Sequence, residues 1–196
     1  MHSQYAKNNM TNIFIIHGVY GHPGENWFPW LKSELEKLNC KVFIPEFPTP
    51  ENQTLENWLK VFEEYEQYLN EDSIIIGHSL GTPFLLNILE KIDTPIKAAY
   101  CIAGYDPSTL PTTSEWYEMV ETFVNKPFDW EKIRQNCRNF HIYHSDNDPY
   151  FPLYLAEDLA NKLDSKVNII KGAGHFNEDA GYTEFDLLLG DIKKEL

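Results

Sequence analysis

A chain of 196 residues is long enough for one domain with a sizeable core and short for two. Apolar residues at 42% and aromatics at 14% exclude intrinsic disorder, and no apolar run reaches the length of a bilayer span. Sixteen Lys and Arg against thirty Asp and Glu give a net charge of -14, which repels a polyanionic backbone; with no basic cluster, nucleic acid is excluded as a partner.

The first ten residues, MHSQYAKNNM, hold one lysine and no apolar stretch, so residues 1–10 read as a flexible extension without a secretory signal. Residues 11–196 then alternate short apolar runs with amphipathic stretches, the pattern of a single α/β domain with a parallel sheet. NIFIIHG (12–18) is the first predicted strand and KVFIP (41–45) the second. Thr54 is a candidate N-cap for a helix whose apolar stripe runs through Leu55, Trp58, Leu59, Phe62, Tyr65 and Leu69. The acidic run FEEYEQYLNED (62–72) is then the solvated side of that helix.

SIIIG (73–77) is the third strand, followed by a helix over 80–90 that tolerates Pro83 in its first turn, and IKAAYCIAG (96–104) is the fourth strand. The segment 104–138 carries Pro107, Pro111, Pro127 and the aromatics Trp116, Tyr117, Phe123, Phe128 and Trp130. A bare loop of that length is unusual, so a lid-like segment with two short helices leaning over the strand ends is expected. NFHIYH (139–144), a helix from Pro152 to Leu163, and KVNII (166–170) complete the series. All six strands are read as buried on both faces because they are nearly continuously apolar. Cys40, Cys101 and Cys137 are odd in number and lack C-x-x-C spacing, which predicts free buried thiols in a reducing cytoplasm.

The chemistry centres on GHSLG, Gly77 to Gly81. G-x-S-x-G arises by chance in on the order of one unrelated chain in twenty of this length, so its context decides. Here it leaves a predicted strand and enters a predicted helix, as a nucleophile elbow requires. Such a turn exposes Ser79 Oγ and directs the Leu80 N–H toward an oxyanion, but an alcohol also needs a general base, and the base a partner that sets its tautomer. His175, in KGAGHF after the last strand, is the candidate base, because open α/β sheets place chemistry at the carboxyl ends of their strands. HSDNDPYFP, after the fifth strand, offers Asp146 and Asp148. Asp148 is favoured because Pro149 restricts its backbone, and Asp146 is expected to cap the turn.

The order serine, aspartate, histidine is that of α/β-hydrolases. The loop HGVYGHPGENW after the first strand is expected to supply a second oxyanion donor, the Val19 N–H, with His17 shaping the loop. His78 fills the variable position of the elbow and is given no proton-transfer role. His141 and His144 fall on opposite faces of one strand, so no shared metal is expected, and the chemistry calls for no metal or organic cofactor. Tyr20, Trp27, Trp116, Tyr117, Phe128, Trp130 and Tyr150 are candidates to line an acyl pocket.

IIIGHS, NWFPWLKSELEKL, KPFDWEKIRQNC, SDNDPYFP and GHF together make the chain from Asn12 onward resemble the retinoblastoma-binding protein nine, or YdeN-type, family of small α/β-hydrolase serine hydrolases. The resemblance implies a three-layer fold of about six parallel strands flanked by helices, a minimal cap, and a triad of Ser79, Asp148 and His175. Some members carry an L-x-C-x-E segment linked to retinoblastoma-protein binding. The matching stretch here is QYLNE (67–71), without that Leu and Cys, so this partner is not carried over. The expectation is a serine hydrolase acting through an acyl-enzyme on small ester, amide or aminoacyl substrates. Two rival readings stay open: a non-catalytic binding or regulatory protein on a hydrolase scaffold, and an acyltransferase or perhydrolase.

Overall fold

Strands β1 (Asn12–Ile16), β2 (Lys41–Phe43), β3 (Ile74–His78), β4 (Ile96–Ile102), β5 (Cys137–Ser145) and β6 (Val167–Ile170) form one parallel sheet in the order β2-β1-β3-β4-β5-β6. Each coincides with one of the six apolar runs. The computed structural model describes residues 10–114 and 116–196, so most of the proposed N-terminal extension lies outside the described residues.

Seven α-helices cover the sheet among the described residues: α1 (Phe28–Glu36), α2 (Leu55–Glu66), α3 (Gly81–Lys91), α4 (Tyr117–Val124), α5 (Trp130–Gln135), α6 (Leu153–Lys162) and α7 (Asp186–Glu195). Successive strand residues point to opposite faces, and the two cores divide accordingly. Ile13, Ile15, Ile74, Ile76, Ala98 and Tyr100 pack with Leu31 and Leu35 of α1 and Leu188 and Ile192 of α7. Phe14, Ile16, Ile75, Ala99 and Cys101 pack with residues of α2 through α6 on the other face. Two filled faces explain why β1, β3 and β4 read as unbroken apolar runs.

The edge strand β6 departs from that expectation. It has one hydrogen-bonded neighbour, and Ile169 is 50% exposed, because cover on both faces is complete only toward the middle of the sheet. Thr54 caps α2 as expected, accepting from Asn57 N at 3.2 Å. Two helices go beyond the elements read from the sequence: α1, which has Pro29 in its first turn and buries Phe28, Leu31 and Leu35, and α7, which buries Leu188, Leu189 and Ile192.

The lid-like reading of 104–138 is corrected in part. Two short helices are there, but α5 does not lean over the carboxyl ends of the strands. It is held at the opposite end of the molecule, where Asn136 Nδ2 donates to Leu89 O and Ile92 O at 2.8 and 2.7 Å and closes the C-terminus of α3. Helix α4 lies along α3, with Phe123 buried and its carbonyl accepting from Asn87 Nδ2. Val120, Phe123 and Val124 of α4 and Ile133 of α5 are buried in the core that α3 also lines, and that burial holds the two helices there.

Strands β1 and β3 are neighbours, yet the chain leaves β1 toward β2 on one side and β3 toward β4 on the other. Open α/β sheets hold their ligands in the crevice above such a reversal of strand order.

Candidate active site

Strand β3 ends at His78 and α3 begins at Gly81, so Ser79 and Leu80 make the whole turn. Ser79 has φ 54°, in the left-handed region that costs a non-glycine residue about 1–3 kcal/mol. Backbone hydrogen bonds hold it there: Ser79 N donates to Ile102 O of β4, and Thr82 N to Ser79 O, both at 2.9 Å. The flanking glycines are steric requirements. A Cβ on Gly77 would lie 2.5 Å from the Gly81 carbonyl oxygen, and one on Gly81 would run into the Ile16 carbonyl oxygen of β1.

The loop after β6 presents His175 through alternating left-handed residues, Gly172 (φ 71°), Gly174 (φ 55°) and Phe176 (φ 53°). Four consecutive residues, from the last of β5 onward, grip it. Gly172 N donates to Asp146 Oδ1 (2.8 Å), Ala173 N to Ser145 Oγ (2.9 Å), Gly174 N to Asn147 Oδ1 (2.8 Å), and His175 Nδ1 to Asp148 Oδ2 (2.8 Å). Asp146, exposed, therefore holds the neighbouring loop, while Asp148, whose side chain is fully shielded, meets the imidazole. Sequence reasoning misses the contributions of Ser145 and Asn147, where only their place beside Asp148 hints at them.

Burial pushes the Asp148 carboxyl up. The hydrogen bond and charge of His175, with backbone donors Tyr150 N and Phe151 N at 2.9 and 3.1 Å on Oδ1, outweigh it and hold the group below the usual aspartate value. An ionised acceptor on Nδ1 sets the His175 tautomer and leaves Nε2 as the basic nitrogen.

Ser79 and His175 line one cavity of about 360 Å³ above β1 and β3. Val19 lines it too. Neither the Val19 nor the Leu80 backbone N–H donates to another group among the described residues. The β1 loop lies directly on the serine, since a Cβ on Gly18 would be 2.9 Å from Ser79 Cβ. His17 shapes this loop: Phe47 N donates to Nε2 (3.0 Å), so the proton is on Nδ1 and goes to Gly18 O (2.9 Å), and burial lowers its pKa.

Among the aromatic candidates, Tyr20, Trp116 and Tyr150 reach the cavity. Tyr150 stands edge-on to the His175 ring at 4.8 Å, and Trp116 edge-on to Tyr150 at 5.4 Å. Trp27 does not line the cavity. It is fully buried, and its indole Nε1 donates to Phe176 O at 3.0 Å, supporting the histidine loop from below. Tyr117, Phe128 and Trp130 also lie away from it, the last two packed on each other at 5.5 Å. Helices α4 and α5 dock on α3, which turns those rings from the strand ends. Tyr105, Val120 and Phe151 line the cavity unanticipated, brought there by packing of distant segments.

Glu25, Glu178 and Asp179 also line the cavity. Burial raises the Glu25 pKa, and the nearby Glu178 adds to it. His141 and His144 bond different partners: His141 Nε2 lies 2.9 Å from Glu195 Oε1, and His144 Nε2 donates to Phe151 O at 2.9 Å.

Residues 13–192 match the family model described as serine hydrolase. The chain is 31% identical over 189 residues to YdeN of Bacillus subtilis (strain 168), covering 93% of this chain and 97% of that one. It is 28% identical over 171 residues to serine hydrolase RBBP9 of Rattus norvegicus, covering 87% and 86%. The crystal structure of the B. subtilis ydeN gene product superposes with a TM-score of 0.87 at 28% identity, over 95% of this chain and 98% of that one. In fold alone the likeness extends to Est1E of Butyrivibrio proteoclasticus with ferulic acid bound, with a TM-score of 0.67 at 19% identity, over 96% and 90%. With one six-stranded parallel sheet flanked by helices and a family match spanning nearly its whole length, the chain belongs to the serine hydrolase family.

Proposed function

We propose that this hydrolase cleaves small carboxylic esters through an acyl-enzyme on Ser79, with His175 as general base and acid and Asp148 as its orienting partner. The observation that carries the reading is the 2.8 Å contact between His175 Nδ1 and the shielded Asp148 carboxylate, beside a left-handed Ser79 in the same cavity. Ser79 Oγ adds to the substrate carbonyl as its proton passes to His175 Nε2. The tetrahedral oxyanion is held by the Leu80 and Val19 N–H groups, the C–O bond to the alcohol breaks, and His175 returns the proton to the leaving alkoxide. Water, activated by the same imidazole, then releases the acid and restores Ser79.

A cavity of about 360 Å³ at the small end of ligand sites, with only Tyr105, Trp116 and Val120 reaching it from 104–138 among the described residues, supports short acyl groups. The free, buried Cys40, Cys101 and Cys137 accord with a reducing cytoplasm as its place of action. We take the sheet and its helices as one catalytic domain.

A fluorophosphonate probe tests the reading. Labelling and p-nitrophenyl acetate turnover that both vanish in Ser79→Ala are expected, and turnover surviving that substitution at the wild-type rate overturns it.

A further inference from the structure

We infer that His78, the variable residue of the G-x-S-x-G turn, is a positioning residue that fastens the nucleophile elbow to the loop carrying the base. The inference rests on the acyl-enzyme reading and adds to it a physical link between two of its parts.

His78 Nε2 lies 2.8 Å from the backbone carbonyl oxygen of His175. A carbonyl only accepts, so Nε2 carries the proton and His78 is the donor. The residue is 4% exposed, and its ring packs against Trp27 at 6.2 Å, Phe28 at 5.9 Å and the His175 ring at 5.0 Å. Ser79 is its covalent neighbour. Any shift of the elbow is therefore transmitted to the His175 backbone through one bond and a closely packed ring.

The rest of the loop shows why such a link matters. The N–H groups of Gly172, Ala173 and Gly174 are held by side chains at and just after the end of β5, and the Phe176 carbonyl is held by Trp27. Those contacts set the loop relative to β5 and to the start of α1. They do not set it relative to β3, where the serine sits. The His78 bond does so, across 97 residues of sequence.

The other ring nitrogen strengthens the case. His78 Nδ1 is buried with no hydrogen-bond partner among the described residues. A leucine or phenylalanine would fill this apolar site without stranding a polar atom, and an orphaned buried acceptor is destabilising. The histidine is thus a poor choice for packing and a suitable one for donating to the His175 carbonyl. Burial also pushes its pKa down to about 3, so the donor stays neutral and keeps one tautomer throughout the working pH range.

Three variants in the full chain separate this role from simple packing. Gln carries its amide nitrogen at about the reach of imidazole Nε2, Asn stops one bond short, and Phe keeps the ring without the donor. His78→Gln is expected to hold kcat for p-nitrophenyl acetate within about three-fold of wild type. His78→Phe and His78→Asn are expected to lower kcat by roughly a hundred-fold, with KM changed far less, because a base displaced by a fraction of an ångström fails in the transition state and not in binding. The proton on His175 Nδ1, followed by NMR at low field, should persist in the Gln variant and broaden by exchange in the other two.

Equal kcat in wild type and His78→Phe overturns the inference. If the Phe variant does not fold, the Gln and Asn pair decides, and equal activities in those two overturn it. Ser79→Ala run alongside keeps the readings apart: its inactivity with undiminished His78→Phe turnover sinks the positioning role alone, whereas an active Ser79→Ala sinks the acyl-enzyme itself.

Discussion

His175 Nδ1 and Asp148 Oδ2 lie 2.8 Å apart, and the aspartate reaches the ring from a loop 27 residues earlier in the chain with no part of its side chain exposed. Asp146, two residues before it, spends its carboxylate on Gly172 N instead. The two acids therefore separate functionally. Asp148→Asn should lower kcat by on the order of ten-thousand-fold, because an amide on Nδ1 permits the wrong tautomer. Asp146→Asn, whose Oδ1 still accepts from Gly172 N, should lose less than about ten-fold. Steady-state hydrolysis of p-nitrophenyl acetate by both variants measures this, and the reverse ranking would assign the orienting role to Asp146.

The elbow makes a prediction about stability. A methyl on Gly81 collides with the carbonyl of Ile16 in the neighbouring strand, and neither backbone yields without disturbing the sheet. Gly81→Ala should lower unfolding free energy by about 3 kcal/mol or more in urea titrations, or prevent folding. Gly190, inside α7, has open space where a methyl group would sit, with nothing within 4 Å of that point, so Gly190→Ala should raise stability by about 0.5–1 kcal/mol.

Acid should unfold the protein through its buried histidines. Burial lowers the pKa of His17, His78 and His144 in the folded state, that of His78 to about 3. Between about 3 and the ordinary value of 6.5 the unfolded chain binds a proton at His78 and the folded chain does not, so stability rises with pH across that window and falls as pH drops through it. His78 alone contributes a slope of about 1.4 kcal/mol per pH unit. Unfolding free energies of wild type and His78→Gln from urea titrations at pH 4 to 6 should differ in pH slope by about that amount, and parallel lines would count against a neutral buried imidazole.

The cavity predicts how substrates rank. Its volume of about 360 Å³ suits short acyl groups, and Glu25, Glu178 and Asp179 in its lining repel an anion. kcat/KM for p-nitrophenyl acetate should exceed that for the palmitate ester. A neutral butyrate ester should exceed the hemisuccinate by about ten-fold at low salt, a gap that narrows as salt is added. A preference for palmitate would mean that the acyl chain leaves the cavity by a route along Trp116 and Tyr20.

The sequence by itself determined what depends on local pattern. Burial on both faces makes β1, β3 and β4 continuously apolar, and turn chemistry needs Gly77 and Gly81 around Ser79, so the strands, the elbow and the order Ser79, Asp148, His175 are legible without coordinates. Tertiary structure alone decided what depends on contacts between distant segments. Trp27 is a fitting pocket residue by type, yet its indole bonds Phe176, 149 positions away, and it never meets the cavity. Loop length and aromatic content point α5 over the strand ends, but α5 packs beside α3, where Asn136 secures it. The grip of Ser145 and Asn147 on the histidine loop, and of His78 on its carbonyl, has no local signature. Polar side chains take whichever backbone group the assembled sheet brings within about 3 Å, and only the packing of the whole chain selects that partner.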